Sequence, residues 1–177
     1  MKHLVHIQYR LMVLLTLLSL VACDTAPSQL ASPLPTLSSH ELVDLNIVMG
    51  QTVFVPAYSE IFYGSTNDLL ELTATLAIHN SDPDDLILIT SVRYYDTDGN
   101  LVREFVTAPV QLNPMATTGF VIDGSDTPAG WGANFLVEWG AEHPVYEPVI
   151  EAVMVSRRGT EGVSFISPGR VVSEQIR

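Results

Sequence analysis

Leu70, Leu72, Ala74, Leu76 and Ile78 alternate with Glu71, Thr73, Thr75, Ala77 and His79. A strict period of two gives an extended strand one apolar face and gives a helix no stripe to bury. The pattern recurs along the chain. Leu86 to Tyr95 is a more continuously apolar run, rich in β-branched and aromatic residues, which suits a strand in the middle of a sandwich. Asp98 and Gly99 mark a tight hairpin, because Asp-Gly accepts positive φ readily, so Leu101 to Val106 is expected to return beside the preceding strand. Val110 and Leu112 lead into an Asn113-Pro114 turn, after which Thr118, Phe120 and Ile122 alternate again. Asn134 to Trp139, Val149 to Val155 and Val163 to Ile166 complete the series. Pro56 places Gln51 to Tyr58 on an edge or at a break. No segment after residue 22 has a convincing helical period.

Seven or eight short antiparallel strands separated by turn signals predict an all-β fold, an immunoglobulin-like β-sandwich. A barrel is the rival, since strand count does not decide closure. Phe135, Val137 and Trp139 share one face of their strand and are expected to point inward, with Leu76, Val92, Tyr94 and Phe120 as core partners.

The first 44 residues have a different character. A charged start, Lys2 and Arg10, precedes the apolar run Leu11 to Leu20, and Val21-Ala22 then leads into Cys23, the one cysteine of the chain. That layout is a secretory signal, and a run of about ten residues is too short for the roughly 20 that span a bilayer. Leu20-Val21-Ala22-Cys23 resembles the lipobox of bacterial lipoproteins, in which the cysteine is acylated, as with palmitate, and becomes the first mature residue. Residues 1–22 are therefore read as a lipoprotein signal peptide. Residues 23–45, rich in Ser, Thr and Pro, form a lipidated flexible tether, and residues 46–177 form the sandwich domain. Fully extended, such a tether lifts the domain by at most roughly 70 Å. Alternatively, Leu42 to Val48 already begins a first strand. Two or three acyl chains hold a protein firmly where one binds marginally, so the expected partner at this end is a membrane. The protein would face the periplasm or the cell exterior.

Composition narrows the other partners. Lys2 and Arg10 leave with the signal, so 6 of the 8 Lys and Arg remain against 20 acidic residues, a formal charge of −14. Such a surface repels nucleic-acid phosphates and anionic lipid, so nucleic-acid binding is not expected. With Cys23 acylated, no cysteine is left for a disulfide, and about 130 residues must be stabilised by packing alone.

Several blocks carry a family resemblance. Gly50 to Tyr58, Leu72 to Pro83, Ile89 to Val102, Gly132 to Trp139 and Pro148 to Met154 occur in the order seen in domain of unknown function 3124. The chain resembles that family, small exported prokaryotic proteins many of which carry lipoprotein signals, over about residues 50 to 172. The resemblance implies no activity and supplies no catalytic residue.

Candidate sites come from the residues themselves. Asp96, Asp98 and Asn100 resemble the start of a calcium loop, because hard cations take clustered oxygens, but Leu101 and Thr107 stand where that loop needs glycine and a bidentate acid. A hairpin turn explains the same residues. Asp82, Asp84 and Asp85 form a second acidic turn. Glu138 and Glu151 each interrupt an apolar strand. If those strands are neighbours, the two carboxylates share a face, and repulsion raises one pKa toward acid-base use. Otherwise both face solvent or pair with Arg93, Arg103 or Arg157. No zinc-type histidine spacing occurs, and Gly124-Ser125-Asp126 lacks the second glycine of a nucleophile elbow, although Ser125, His143 and Asp126 could meet in space. In the Gly124 to Gly132 loop, Trp131 with Asp126 and Asn134 forms a candidate binding loop for an envelope protein or a glycan, although a cap on the core is the favoured role for Trp131. The expected function is a non-catalytic binding or assembly module of the cell envelope, with no cofactor. An envelope hydrolase using the paired carboxylates and a cation- or ligand-sensing domain are the alternatives.

Overall fold

The computed structural model describes residues 45–122, 129–158 and 160–176. The expected signal segment, Cys23 and all of the expected tether before Leu45 lie outside them, as do Ser125 and Asp126. Among the described residues there is no helix. Strands are numbered in chain order. One sheet runs β12 (Arg170–Ile176), β1 (Met49–Pro56), β9 (Asn134–Ala141), β5 (Ile87–Tyr95) and β6 (Leu101–Val106), and β7 (Val110–Leu112) pairs with the start of β5. The other runs β11 (Glu161–Pro168), β10 (Val149–Arg158), β4 (Thr73–His79) and β8 (Thr117–Ile122). A separate hairpin joins β2 (Glu60–Tyr63) to β3 (Ser65–Glu71). Each ladder is antiparallel, and among the described residues none joins the two large sheets. The fold is therefore a β-sandwich, not a closed barrel.

The immunoglobulin pattern holds in its middle. β4 and β8 are neighbours, as strands B and E are, and β5 and β9 are neighbours, as C and F are. The flanks differ, because β1 stands beside β9 and β10 stands beside β4.

Alternation sets the core. Phe135, Val137 and Trp139 are buried on the inner face of β9, and Leu76, Val92 and Tyr94 are buried with them. Phe120, on edge strand β8, is only half-buried and packs against Phe105 of β6 at 5.3 Å between ring centroids. That aromatic pair covers one side of the sandwich. On the other side the chain passes from β11 to β12 through Gly169, whose N–H donates to Ile150 O at 2.8 Å. A Cβ at Gly169 would sit 2.6 Å from Val53 Cγ1, so the crossing needs a residue without a side chain.

Three expectations need correcting. Among the described residues there are twelve strands, more than the seven or eight expected. The period-two run from Leu70 is two strands, since Leu72 donates its N–H to Ser59 O at 2.8 Å between β3 and β4. Of the edge or break expected from Pro56, the edge does not hold, since β1 lies between β9 and β12, whereas the strand does end at Pro56. Pro56 is tolerated there because pairing with β12 stops at Phe54, so its missing N–H interrupts no ladder on that side. Residues 45–48 form no strand.

Candidate functional site

The loop before β9 is fixed by two hydroxyl residues distant in sequence. Ser59 Oγ accepts from Gly130 N at 2.9 Å and donates to Gly130 O at 3.2 Å. Thr97 Oγ1 donates to Ala129 O at 2.9 Å and accepts from Gly132 N at 3.0 Å. Gly130 has φ of +91°, and a Cβ there would lie 2.4 Å from Thr97 Oγ1. Ala129 and Ala133 are buried on either side. The backbone is thus held from both flanks, and Trp131 projects from it.

Trp131 does not cap the core. Its side chain is 52% exposed, and its ring lies 6.1 Å from that of Phe62, itself 51% exposed. The reason is local: both flanking alanines turn inward and fill the space a cap would use. Phe62 on β2 stands opposite Leu69 on β3, also exposed, so a short hairpin and a braced loop build one apolar patch. Glu60 and Glu71, opposite each other in the next row of that hairpin face, bound it. Phe62 and Leu69 escaped the sequence reading, although Glu60/Phe62 and Leu69/Glu71 carry a short period-two signal. Asn134 opens β9 between Pro56 and Tyr95 and alternates with inward Phe135, so it lies on the outer face of its sheet.

The acidic pair is not assembled. Glu138 is on the outer face of the larger sheet and forms an ion pair with Arg93 of β5. Glu151 is in the other sheet, between Ala77 and Pro168, and alternates with buried Ile150 and Ala152. Consecutive strands β9 and β10 cross between sheets, so the two carboxylates face outward on opposite sides of the molecule. Beside Glu138, the facing glycines Gly50 and Gly140 leave a shallow depression of about 390 Å³ bordered by Thr52, Thr90 and Ile47.

The suspected calcium loop is a turn whose carboxylate is already engaged. Asp96 Oδ1 accepts from the N–H groups of Asp98 and Asn100 at 2.9 and 2.7 Å, and Oδ2 accepts from Asn100 Nδ2 at 3.0 Å. Gly99 supplies the positive φ of +81°. Asp82 does the same in the second acidic turn, accepting from Asp84 and Asp85 N–H through Oδ1 and from Tyr146 N–H through Oδ2. Among the described residues no three His, Cys, Asp or Glu side chains gather as a metal site. His79 Nδ1 hydrogen-bonds Thr117 Oγ1 at 2.9 Å, and His143 is exposed.

These turns make folding sensitive to acid. The Asp84 N–H, followed by those of Tyr146 and Asp85, holds Asp82 below the ordinary aspartate value of 3.8. The side-chain amide of Asn100 and then its N–H do the same for Asp96. An unfolded aspartate then binds its proton at a higher pH than the folded one. Their stabilising contribution is present above about pH 4 and is lost as pH falls through the folded values. Melting temperatures measured from pH 6 to pH 3 should fall for the native chain. Asp82→Asn should begin lower and fall less, so the two curves approach each other near pH 3; parallel curves would sink the assignment.

Comparison with known proteins gives the following. The crystal structure of Thermotoga maritima 1070 aligns with a TM-score of 0.43 and 15% identity, covering 68% of this chain and 92% of that one. No curated protein matches the chain. The family model described as protein of unknown function (DUF3124) matches residues 50–172, which span the sandwich from the start of β1 into β12. A match over more than half its length, from the first strand to the last, makes this chain a member of the DUF3124 family.

Proposed function

We propose that this chain is a non-catalytic binding module of the cell envelope, exported by residues 1–22, anchored by lipid on Cys23 and displayed on a tether. Its contact surface is the patch of Trp131, Phe62 and Leu69. The observation that supports this reading is the exposure of Trp131 on a backbone held by Ser59 and Thr97. A preorganised aromatic side chain binds without the ordering penalty that a loose loop pays, and exposed aromatics are frequent anchors of interfaces. The hydrolase alternative loses its paired carboxylates to opposite faces. The sensing alternative loses the oxygens of Asp96 to its own turn and those of Asp82 to its turn and the Tyr146 N–H.

In-cell crosslinking of the full chain with mass spectrometry tests the reading. A partner should be captured reproducibly, and Trp131→Ala should reduce that capture at least tenfold. Because Trp131 is exposed, the variant should keep its stability within about 0.5 kcal/mol. Cys23→Ala, exported by another signal, should lose membrane attachment and keep its fold. A partner captured equally by Trp131→Ala would sink the proposed surface.

A further inference from the structure

The geometry points to a basic, apolar polypeptide segment as the partner of this surface: one carrying Lys or Arg next to an aliphatic side chain. The inference rests on reading the Trp131 patch as a contact surface, and it adds the chemistry of what docks there. Alternation on β2 and β3 puts Glu60, Phe62, Leu69 and Glu71 on one face of the hairpin, because Glu60 pairs with Glu71 and Phe62 with Leu69. Residues two apart on a strand are about 7 Å from each other, so a cation touching the aromatic pair is within reach of a carboxylate. Neither the Glu60 nor the Glu71 carboxylate has a hydrogen-bond or ion-pair partner among the described residues.

The two segments that build the patch carry charge of one sign. No Lys or Arg occurs between Arg10 and Arg93, a stretch that contains the whole hairpin, and none occurs between Arg103 and Arg157, which contains the Trp131 loop. Nothing in these segments neutralises the two carboxylates, and the rest of the chain is acidic as well. A cation set against tilted aromatic rings gains from their negative faces, and a flanking carboxylate adds to the same attraction. Leu69 supplies an aliphatic contact beside the rings, which suits a neighbouring apolar side chain. A neutral sugar would use the rings and leave both carboxylates idle, and an anionic partner would be repelled by them. A polypeptide with alternating basic and aliphatic residues uses all five side chains.

The readout is the fluorescence of Trp131 in the full-length chain held in nonionic micelles. The second tryptophan, Trp139, is 3% exposed and is shielded from added probe. The probes are the acetylated, amidated peptides (Leu-Lys)3, (Ser-Lys)3 and (Leu-Glu)3, with cellohexaose as the neutral glycan. The expected result is a saturable blue shift with (Leu-Lys)3, at least tenfold weaker binding of (Ser-Lys)3 and no binding of (Leu-Glu)3. Glu60→Gln with Glu71→Gln should weaken (Leu-Lys)3 at least fivefold and flatten its salt dependence. The remote pair Glu104→Gln with Glu151→Gln should leave it unchanged, which separates a local rim from general acidity. The inference is overturned if (Leu-Lys)3 does not bind, if the two double variants behave alike, or if cellohexaose binds more tightly and ignores the rim; in that last case the surface stands as a glycan site. If (Leu-Lys)3 binds Trp131→Ala as tightly as the native chain, judged by calorimetry, the contact surface itself is wrong.

Discussion

Phe135→Ala is expected to destabilise the domain by about 4 kcal/mol, the middle of the range for deleting a fully buried aromatic ring. Phe135 is fully buried at the middle of a row that runs Val55, Phe135, Tyr94 across three strands. Its ring lies 4.9 Å from that of Tyr94 and 6.1 Å from that of Phe105, and Phe105 in turn meets Phe120 of the opposite sheet. Removing it opens a cavity that the two ladders of β9 prevent from collapsing, and it cuts the aromatic path between the sheets. For a domain of this size the melting temperature should drop by about 14 °C. Thermal unfolding followed by circular dichroism decides the matter. A fall under about 4 °C would mean that the row relaxes and that the core is less tightly specified than the packing indicates. Phe135→Leu keeps most of the volume and should recover more than half of the loss.

Asn80→Ala should lower stability by about 3 kcal/mol although it removes no apolar packing. Asn80 is almost fully buried just past β4, and its Nδ2 donates to the carbonyls of Asp85, Leu112 and Asn113 at 2.9, 3.1 and 3.1 Å. Its Oδ1 accepts from Asp82 N at 3.0 Å, and its own N–H donates to Ala116 O at 2.9 Å. One side chain thereby satisfies polar groups of the loop after β4 and of the turn after β7. Alanine leaves three carbonyls short of a donor in a place water does not reach easily. Asn80→Asp is the informative companion. It keeps the acceptor for Asp82 N–H but turns a carboxylate toward carbonyls, so at pH 7 it should melt no higher than Asn80→Ala and should regain stability as pH falls and the new acid protonates. An Asn80→Ala variant that melts within 3 °C of the native chain would show that those carbonyls find other donors.

Short-range chemistry carried much of the architecture. Period-two alternation put Phe135, Val137 and Trp139 inward, and Asp98-Gly99 marked the β5–β6 hairpin that Asp96 completes. Elements without alternation were not legible. β12 is exposed on every described side chain, and Ser65 to Asp68, which the alternation from Leu70 does not reach, extend β3 back to the turn at Gly64 with φ of +76°. Pro56 marked the end of β1 but not an edge, because the rule against proline concerns a hydrogen bond, and the residue falls just past the point where β12 needs one. The placement of Glu138 and Glu151 and the exposure of Trp131 were not legible for a different reason. Alternation assigns a side chain to a face but not a strand to a sheet, so nothing near Glu138 or Glu151 tells that β9 and β10 part company. The exposure of Trp131 is settled by Ser59 and Thr97, one of them 71 residues from the glycine it holds.

The position of β1 has a mechanical consequence. The chain enters the sandwich through a strand flanked on both sides, with β9 paired along its whole length and β12 along its first six residues. A pull on the chain ahead of Met49, directed along that strand, loads two ladders in shear, and many hydrogen bonds must fail together. Peeling an edge strand would break them one at a time. Tension from the N-terminal side thus meets the domain at a strand held from both sides, where the load is shared among many hydrogen bonds at once.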